Sequence, residues 1–264
     1  MKGKKISIIG CGNLGLSIVK GLIDQSDFPK KNIIVTKRNT QSIQHLTELG
    51  IEVTSNNAKA VSDSDIVLIS VKPYDILTVL EEIKGNLVPG KHILISVATG
   101  ISIKEIKDKI KATVPLFRAM PNTAADVKES ITCICSEGAN ANDVETVNSL
   151  FKIVGTPLTI KEELMESATV LGACGIAFVL RFMRAMVQGG IQIGFDSATA
   201  SAIVNHTVKG AAQLIIERKQ HPEFEIDKVT TPKGCTIVGL NEMEHNGFSS
   251  SLIKGIIASF EKIG

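Results

Sequence analysis

The sequence predicts a doubly wound α/β domain with a mostly parallel sheet over residues 1–160, followed by an all-α domain over 161–264. Three observations predict it. Short β-prone runs alternate with helical periodicity through the first part of the chain. A glycine-rich turn joins the first strand to the first helix. Beyond about residue 161 the strand signals stop, and apolar residues recur only at helical spacing.

Taken in order, the first strand is 4–9 (Lys-Lys-Ile-Ser-Ile-Ile), followed by a helix whose apolar face carries Leu14, Ile18 and Leu22 and which ends near Gln25. Residues 32–36 read as the second strand and 41–49 as a helix closed by Gly50. The near-continuous apolar run 65–71 fits a parallel strand buried on both faces. Pro73 opens the next helix, to about Lys84, because proline suits a first helical turn. Residues 92–97 form another buried strand, and Ser102 with Glu105 makes a capping box for the helix that follows. The segments 114–120 and 131–135 are further strands, 142–154 is a helix, and Gly155-Thr156-Pro157 ends the alternation. In the second domain 162–193 reads as one long helix or two, interrupted at Gly189-Gly190, with further helices at 196–219, 233–245 and 249–261. These helices are apolar on more than one face. About a hundred residues struggle to bury so much surface alone, so a subunit interface is expected.

The glycine turn is Gly10-Cys11-Gly12-Asn13-Leu14-Gly15, with the spacing G-x-G-x-x-G. The first glycine permits a tight turn, the second lets the backbone approach a diphosphate, and the third lets the helix pack on its strand. The diphosphate would sit on the free N–H groups and positive end of the helix. With a strand before it and a helix after it, the motif predicts a Rossmann-type dinucleotide site. NAD-binding chains place an acidic residue at the end of the second strand. This chain has Thr36-Lys37-Arg38-Asn39 there, which suits a 2′-phosphate, so NADP(H) is expected, with NAD(H) as the alternative. Three loops end strands at the same rim: Val71-Lys72-Pro73, residues 96–100 and Arg118-Ala119-Met120-Pro121-Asn122-Thr123. Their convergence predicts a nicotinamide pocket.

Composition narrows the function classes. A net charge of +2, no Trp and a single Tyr argue against nucleic-acid binding. Five cysteines, at 11, 133, 135, 174 and 235, form no paired C-x-x-C, so reduced thiols and no metal site are expected. The opening residues lack the apolar core of a signal peptide. The longest apolar stretch, 168–180, is short for a bilayer and precedes Arg181 and Arg184. The expectation is a cytoplasmic protein with no membrane partner.

At this point a family resemblance becomes specific. The chain resembles pyrroline-5-carboxylate reductase in the glycine loop with Asn13, in Asn57, Val71-Lys72-Pro73 and Ser96-Val97-Ala98-Thr99-Gly100, and in Met120-Pro121-Asn122-Thr123. It does so most tellingly in Val229-Thr230-Thr231-Pro232-Lys233-Gly234-Cys235-Thr236, followed by Gly239-Leu240 and Gly247-Phe248. The resemblance implies NADPH-dependent reduction of a cyclic imine to L-proline. It also implies a homodimer through the helical domain, which many family members extend to a decamer. Gly10, Cys11, Gly12, Asn13 and Leu14 would hold the diphosphate. Arg38 and Asn39 would face the 2′-phosphate, and Asn57 the adenosine. Val71, Lys72, Pro73 and Thr99 would line the nicotinamide. Gly234, Cys235 and Thr236 would open a helix that holds the substrate carboxylate, with Thr231-Pro232 capping it and the Thr236 hydroxyl, the expected catalytic group, near the ring nitrogen. Two departures stand out. Lys233 replaces a glycine, and Gly172-Ala173-Cys174-Gly175-Ile176-Ala177 lacks the family's serine and proline.

The reaction needs little acid–base machinery, which agrees with the lack of a Ser/His/Asp or paired-carboxylate signature in the sequence. His206 and His221 read as structural or exposed. Two rivals share the plan: a β-hydroxyacid dehydrogenase-like reductase, and a non-catalytic NADPH-sensing protein. The first needs a lysine midway along the long helix, where this chain has none between Glu163 and Val208.

Overall fold

The computed structural model describes residues 3–25 and 28–263. The chain divides between Ala173 and Cys174 into two compact units.

The first unit is built on an eight-stranded sheet of order β3-β2-β1-β4-β5-β6-β7-β8. Its strands are β1 (Ile6–Ile9), β2 (Ile33–Thr36), β3 (Glu52–Thr54), β4 (Ile66–Ile69), β5 (Ile93–Ser96), β6 (Leu116–Met120), β7 (Ser130–Glu137) and β8 (Gly155–Thr159). All neighbours pair in parallel except β6 and β7, which run antiparallel. The helices are α1 (Asn13–Ile23), α2 (Asn57–Ser62), α3 (Ile76–Ile83), α4 (Ile103–Ile110), α5 (Ala141–Lys152) and α6 (Met165–Ala168).

The period of two along the strands sorts side chains onto the two faces. Ile6, Ile8, Ile33, Val35, Ile66, Leu68, Ile93 and Ile95 join α1 and α5 through Ile18, Leu22, Leu150 and Phe151. Ile9, Ile34, Val67, Ile69 and Leu94 join α3 and α4 through Leu80, Ile83, Ile103 and Ile106. Both faces are covered, so the strands read as unbroken apolar runs rather than as alternation. Each isoleucine fully withdrawn from water here contributes about 1.5–3 kcal/mol.

Several local expectations are corrected. Residues 41–49 form a 3-10 helix, Gln41–Leu49, with only Ile43 and Leu46 buried. The strand β3 and helix α2 were not expected. β3 has three residues, exposed or half-buried at a sheet edge, and leaves no apolar run to read. β8 lies where the sequence reads only a terminator. Pro157 is tolerated because β8 is an edge strand, paired on one side only. Gly155 is required there: its φ is +148°, and a Cβ would lie 2.0 Å from the Ser130 carbonyl oxygen. The first unit also runs past the expected boundary at 160. Arg118, whose side chain is 4% exposed, donates to Glu162 at 3.1 Å and to Glu166 at 3.0 Å. Met165 is fully buried beside the sheet.

The second unit contains α7 (Gly175–Gln192), α8 (Ser197–Arg218), α9 (Pro222–Val229), α10 (Cys235–His245) and α11 (Phe248–Ile263). α9 was not expected; His221 caps it, accepting from the Glu223 amide at 3.3 Å. The Asp196 carboxylate caps α8, accepting from Ala198 and Thr199. The glycine pair 189–190 does not interrupt the helix but lies inside α7, where a Cβ on Gly190 would come within 3.1 Å of Ala200 Cβ. Glycine there serves close helix approach. The irregularity lies earlier, in a π-helical turn at Thr169–Cys174. The buried core of this unit is small, formed by Val187, Ala200 and Val204. Many apolar side chains are exposed, among them Leu180, Ile193, Ile216, Val238 and Ile253. The run 162–192 is, by length and composition, apolar enough to cross a membrane, which corrects the expectation of a shorter apolar stretch.

Replacing Gly155 by Ala forces a methyl group into the Ser130 backbone. The expected outcome is a loss of more than about 2 kcal/mol in unfolding free energy, read from denaturant titration. Gly50→Ala, whose Cβ meets nothing within 4 Å, carries only the φ penalty and serves as the comparison.

Candidate dinucleotide-binding site

The site forms where strands β2, β1, β4, β5 and β6 end. A parallel sheet whose strand order departs in both directions from β1 opens a crevice at these ends. A cavity of about 1030 Å³ occupies it. The sheet order sets the sequence of walls. Thr36, Lys37, Arg38 and Asn39 follow β2, Gly10, Gly12, Asn13 and Leu14 follow β1, Val71 and Lys72 follow β4, Val97 follows β5, and Pro121, Asn122 and Thr123 follow β6.

The glycine turn is held from one side. The amides of Gly10 and Cys11 both donate to the Thr36 carbonyl, at 3.1 and 2.8 Å. Gly10 takes φ +84°, and a Cβ there would lie 2.4 Å from Val71 Cγ1 and 2.8 Å from the Ser70 carbonyl oxygen. A Cβ on Gly15 would meet the Gly10 carbonyl and Ile8 at 3.3 Å, which explains the third glycine. Gly12 differs: a Cβ there meets nothing within 4 Å. Gly12 is also the N-cap of α1, and no side chain caps that helix. The first-turn N–H groups are therefore left to a ligand. Open space beside Gly12, an uncapped helix N-terminus and a large cavity together fit a bound dinucleotide diphosphate.

Cys11 is placed differently from its neighbours. Its amide is taken by Thr36, its side chain is fully buried, and it does not line the cavity. Burial pushes its thiol up to about 11. Pro73 and Thr99 also lie outside the cavity lining: Pro73 is exposed in a 3-10 turn, and Thr99 is half-buried. Asn57 lines the cavity and is engaged on both sides. It accepts from the Thr36 hydroxyl at 2.7 Å and donates to Glu82 at 2.7 Å. Asn39 accepts from the Gln41 amide at 3.0 Å. Arg38 pairs with Asp75, and Lys37 donates to the Ser42 hydroxyl at 2.8 Å.

On the β6 side, Asn122 is buried. It donates to the Gly172 carbonyl and accepts from the Ala124 amide, at 3.0 and 3.1 Å, while its own amide donates to Ser130 Oγ. This brings the π-helical turn to the cavity wall through Ala173. Val97 lies in one of the rim loops read from the sequence and Ala173 in the segment that departs from the family pattern, whereas Asp75 was not singled out: it sits at a helix start, where an acidic residue is ordinarily read as a cap.

In the second unit, Thr231, Gly234, Cys235 and Thr236 are gathered at the start of α10. The cap is Gly234 rather than Thr231-Pro232: no side chain caps the helix, and the Gly234 amide donates to the Thr231 carbonyl at 2.9 Å. Lys233 takes a left-handed φ of 59°, so the turn accepts a residue other than glycine there. Thr236 is half-buried, and Cys235 and Thr231 are exposed.

Fold and cavity define a Rossmann-type dinucleotide-binding protein. A family model described as pyrroline-5-carboxylate reductase dimerisation matches residues 162–264, and one described as NADP oxidoreductase, coenzyme F420-dependent, matches 5–100. Pyrroline-5-carboxylate reductase 2 of Dictyostelium discoideum is 42% identical, covering 98% of this chain and 92% of the relative. Pyrroline-5-carboxylate reductase 1 of the same organism is 45% identical over 97% of this chain; the chain spans 49% of that relative's length. The crystal structure of the Plasmodium falciparum pyrroline carboxylate reductase with NADP bound superposes with a TM-score of 0.89 at 26% identity, covering 100% of this chain and 98% of that one. The chain belongs to the pyrroline-5-carboxylate reductase family.

Gly12→Ala is expected to fold with an unchanged thermal midpoint but to bind NADP⁺ about tenfold more weakly, roughly 1.4 kcal/mol, by calorimetry. The Cys11 thiol gives a second expectation. Its pKa rises on folding from 9.0 to about 11, so its contribution is complete below pH 9 and is lost as pH rises toward 11. Stability should fall by about 2 kcal/mol across that window, and Cys11→Ala should flatten the slope of denaturation midpoint against pH.

Proposed function

We propose that this chain reduces 1-pyrroline-5-carboxylate to L-proline with NADPH, the last step of proline biosynthesis. The observation that carries the reading is a large cavity lined by the glycine turn at the strand ends of a chain related to these reductases along nearly its whole length. NADP(H) is the cofactor, and NAD(H) is the alternative.

When bound, the reduced nicotinamide supplies the hydride that adds to the imine carbon. The protein's part is positional. Gly10, Gly12, Asn13 and Leu14 seat the diphosphate on α1. Arg38 and Asn39 receive the ribose phosphate, and Asn57 the adenosine. Val71 and Lys72 wall the nicotinamide end. The uncapped start of α10 offers the N–H groups of Cys235 and Thr236 to the substrate carboxylate, where a helix N-terminus favours an anion. Gly234 and Thr231 shape that turn: a Cβ on Gly234 would lie 2.5 Å from the Thr231 hydroxyl. The Thr236 hydroxyl orients the ring nitrogen. Holding the reacting atoms in contact replaces an entropic search, which is where most of the rate enhancement would come from.

The exposed apolar helices of the second unit would be covered by a second copy, giving a homodimer, in accord with the dimerisation family that matches this region. The same reading takes the run 162–192 as an interface helix rather than a membrane span. The five cysteines are free, which agrees with a cytoplasmic setting. Light scattering of the purified protein should report at least a dimer, and the same measurement shows whether dimers build a decamer.

The decisive experiment mixes purified protein, NADPH and pyrroline-5-carboxylate and follows the loss of reduced cofactor. Loss only with the keto form of a hydroxyacid would favour a dehydrogenase, and no substrate-dependent loss would favour a sensor. Thr236→Ala should lower kcat by about tenfold or more while leaving the NADPH dissociation constant unchanged. Unaltered steady-state kinetics would remove Thr236 from the site.

A further inference from the structure

We propose that Asp75 sets the cofactor preference of this enzyme, by competing with the 2′-phosphate for Arg38 and by offering a hydrogen-bond acceptor to a ribose that lacks the phosphate. The inference rests on the dinucleotide reading above.

Asp75 stands at the N-cap of α3, where an aspartate ordinarily accepts from the first-turn amides. Here its side chain makes no cap hydrogen bond. The carboxylate instead lines the cavity and takes the guanidinium of Arg38. The two partners are unequally fixed. The Asp75 side chain is 21% exposed and Arg38 80%, so the carboxylate is rooted in the wall and the long cation leans to it. The hydrogen bond that Arg38 donates to Asp75 is the largest cause holding the guanidinium above its ordinary pKa.

Lys37 lines the same end and keeps its charge, its ammonium donating to the neutral Ser42 hydroxyl, while Glu82 holds Asn57, so Arg38 is the cation here that an acid already engages. A 2′-phosphate arriving at Arg38 therefore meets a carboxylate already there. It must share Arg38 with that carboxylate or displace it. A ribose with a free 2′-hydroxyl has the opposite experience, because it can donate to Asp75. In NAD-binding Rossmann sites the acidic residue comes from the end of the second strand. In this chain that place holds Arg38, and the acid is supplied instead by the segment after β4. The expected result is a site that takes both cofactors, with a preference for the phosphorylated one that Asp75 restrains.

The test is calorimetric titration of the ligand-free protein with NADP⁺ and with NAD⁺ at low salt, for the wild type, Asp75→Asn, Arg38→Ala and the double variant. Asparagine is an equally good helix cap, so an unchanged thermal midpoint for Asp75→Asn verifies folding; Asp75→Ser serves if it does not hold. Asp75→Asn should bind NADP⁺ about fivefold tighter, the upper range for an exposed ion pair, and NAD⁺ no tighter than wild type. In the Arg38→Ala background the gain for NADP⁺ should vanish. An unchanged NADP⁺ to NAD⁺ affinity ratio in Asp75→Asn overturns the inference while leaving the dinucleotide reading intact. So does a gain that persists without Arg38, which would be charge acting at a distance. A wild type that binds neither dinucleotide overturns both.

Discussion

The site depends on a single carbonyl group. The Thr36 oxygen at the end of β2 takes the amides of both Gly10 and Cys11, and this fixes the glycine turn against the sheet before any ligand arrives. Two donors that could otherwise have pointed into the cavity are spent on the scaffold. The anion site is thereby moved onto the amides of α1, where the helix dipole assists it. The Thr36 hydroxyl extends the same point of control to Asn57, and Asn57 extends it to Glu82. One residue thus couples the diphosphate turn to the wall where the ribose would lie. The three glycines carry different burdens around it. Gly10 and Gly15 are confined by backbone and core atoms, while Gly12 alone borders open space.

Much of this was legible in the sequence, and the reason is physical. β1, β4 and β5 are buried on both faces, so they read as apolar runs interrupted only by Ser7 and Ser96. The capping box at Ser102 and Glu105 forms as its spacing requires. The chain's order around the cavity follows from parallel topology once those strands are placed. What was not legible lies at the sheet edges and in the contacts behind the cavity wall. β3 and β8 are short edge strands whose exposed residues make no hydrophobic pattern. Cys11 sits in the motif yet turns into the core, its amide held by Thr36 across 24 residues of intervening chain. Asp75 carries no motif, and its role emerges only because Arg38 reaches it. In the helical unit the glycine pair at 189–190 suggested a break, but close approach of α7 to Ala200 was the actual demand for small residues.

The two candidate binding turns follow one physical rule. α1 and α10 each begin at a glycine N-cap with no capping side chain. By contrast α4, α5 and α8 have Ser102, Asn140 and Asp196 in that place. A helix that lacks its own cap carries unsatisfied donors, and water supplies them at little cost until an anion takes over.

The reversal of direction between β6 and β7 has its own consequence. A chain leaving β6 in an all-parallel sheet would depart over a covering helix. Here it doubles back at once, and residues 121–123 stay at the cavity mouth while β7 returns down the sheet. β7 and β8 then extend the sheet sideways without contributing a wall. Their link to the cavity runs through the Ser130 hydroxyl, which accepts from the Asn122 amide, and through the five-residue antiparallel ladder with β6. That margin of the sheet is therefore tied to the chamber beside it: a disturbance at Gly155, packed on the Ser130 backbone, reaches the Asn122 corner in one step.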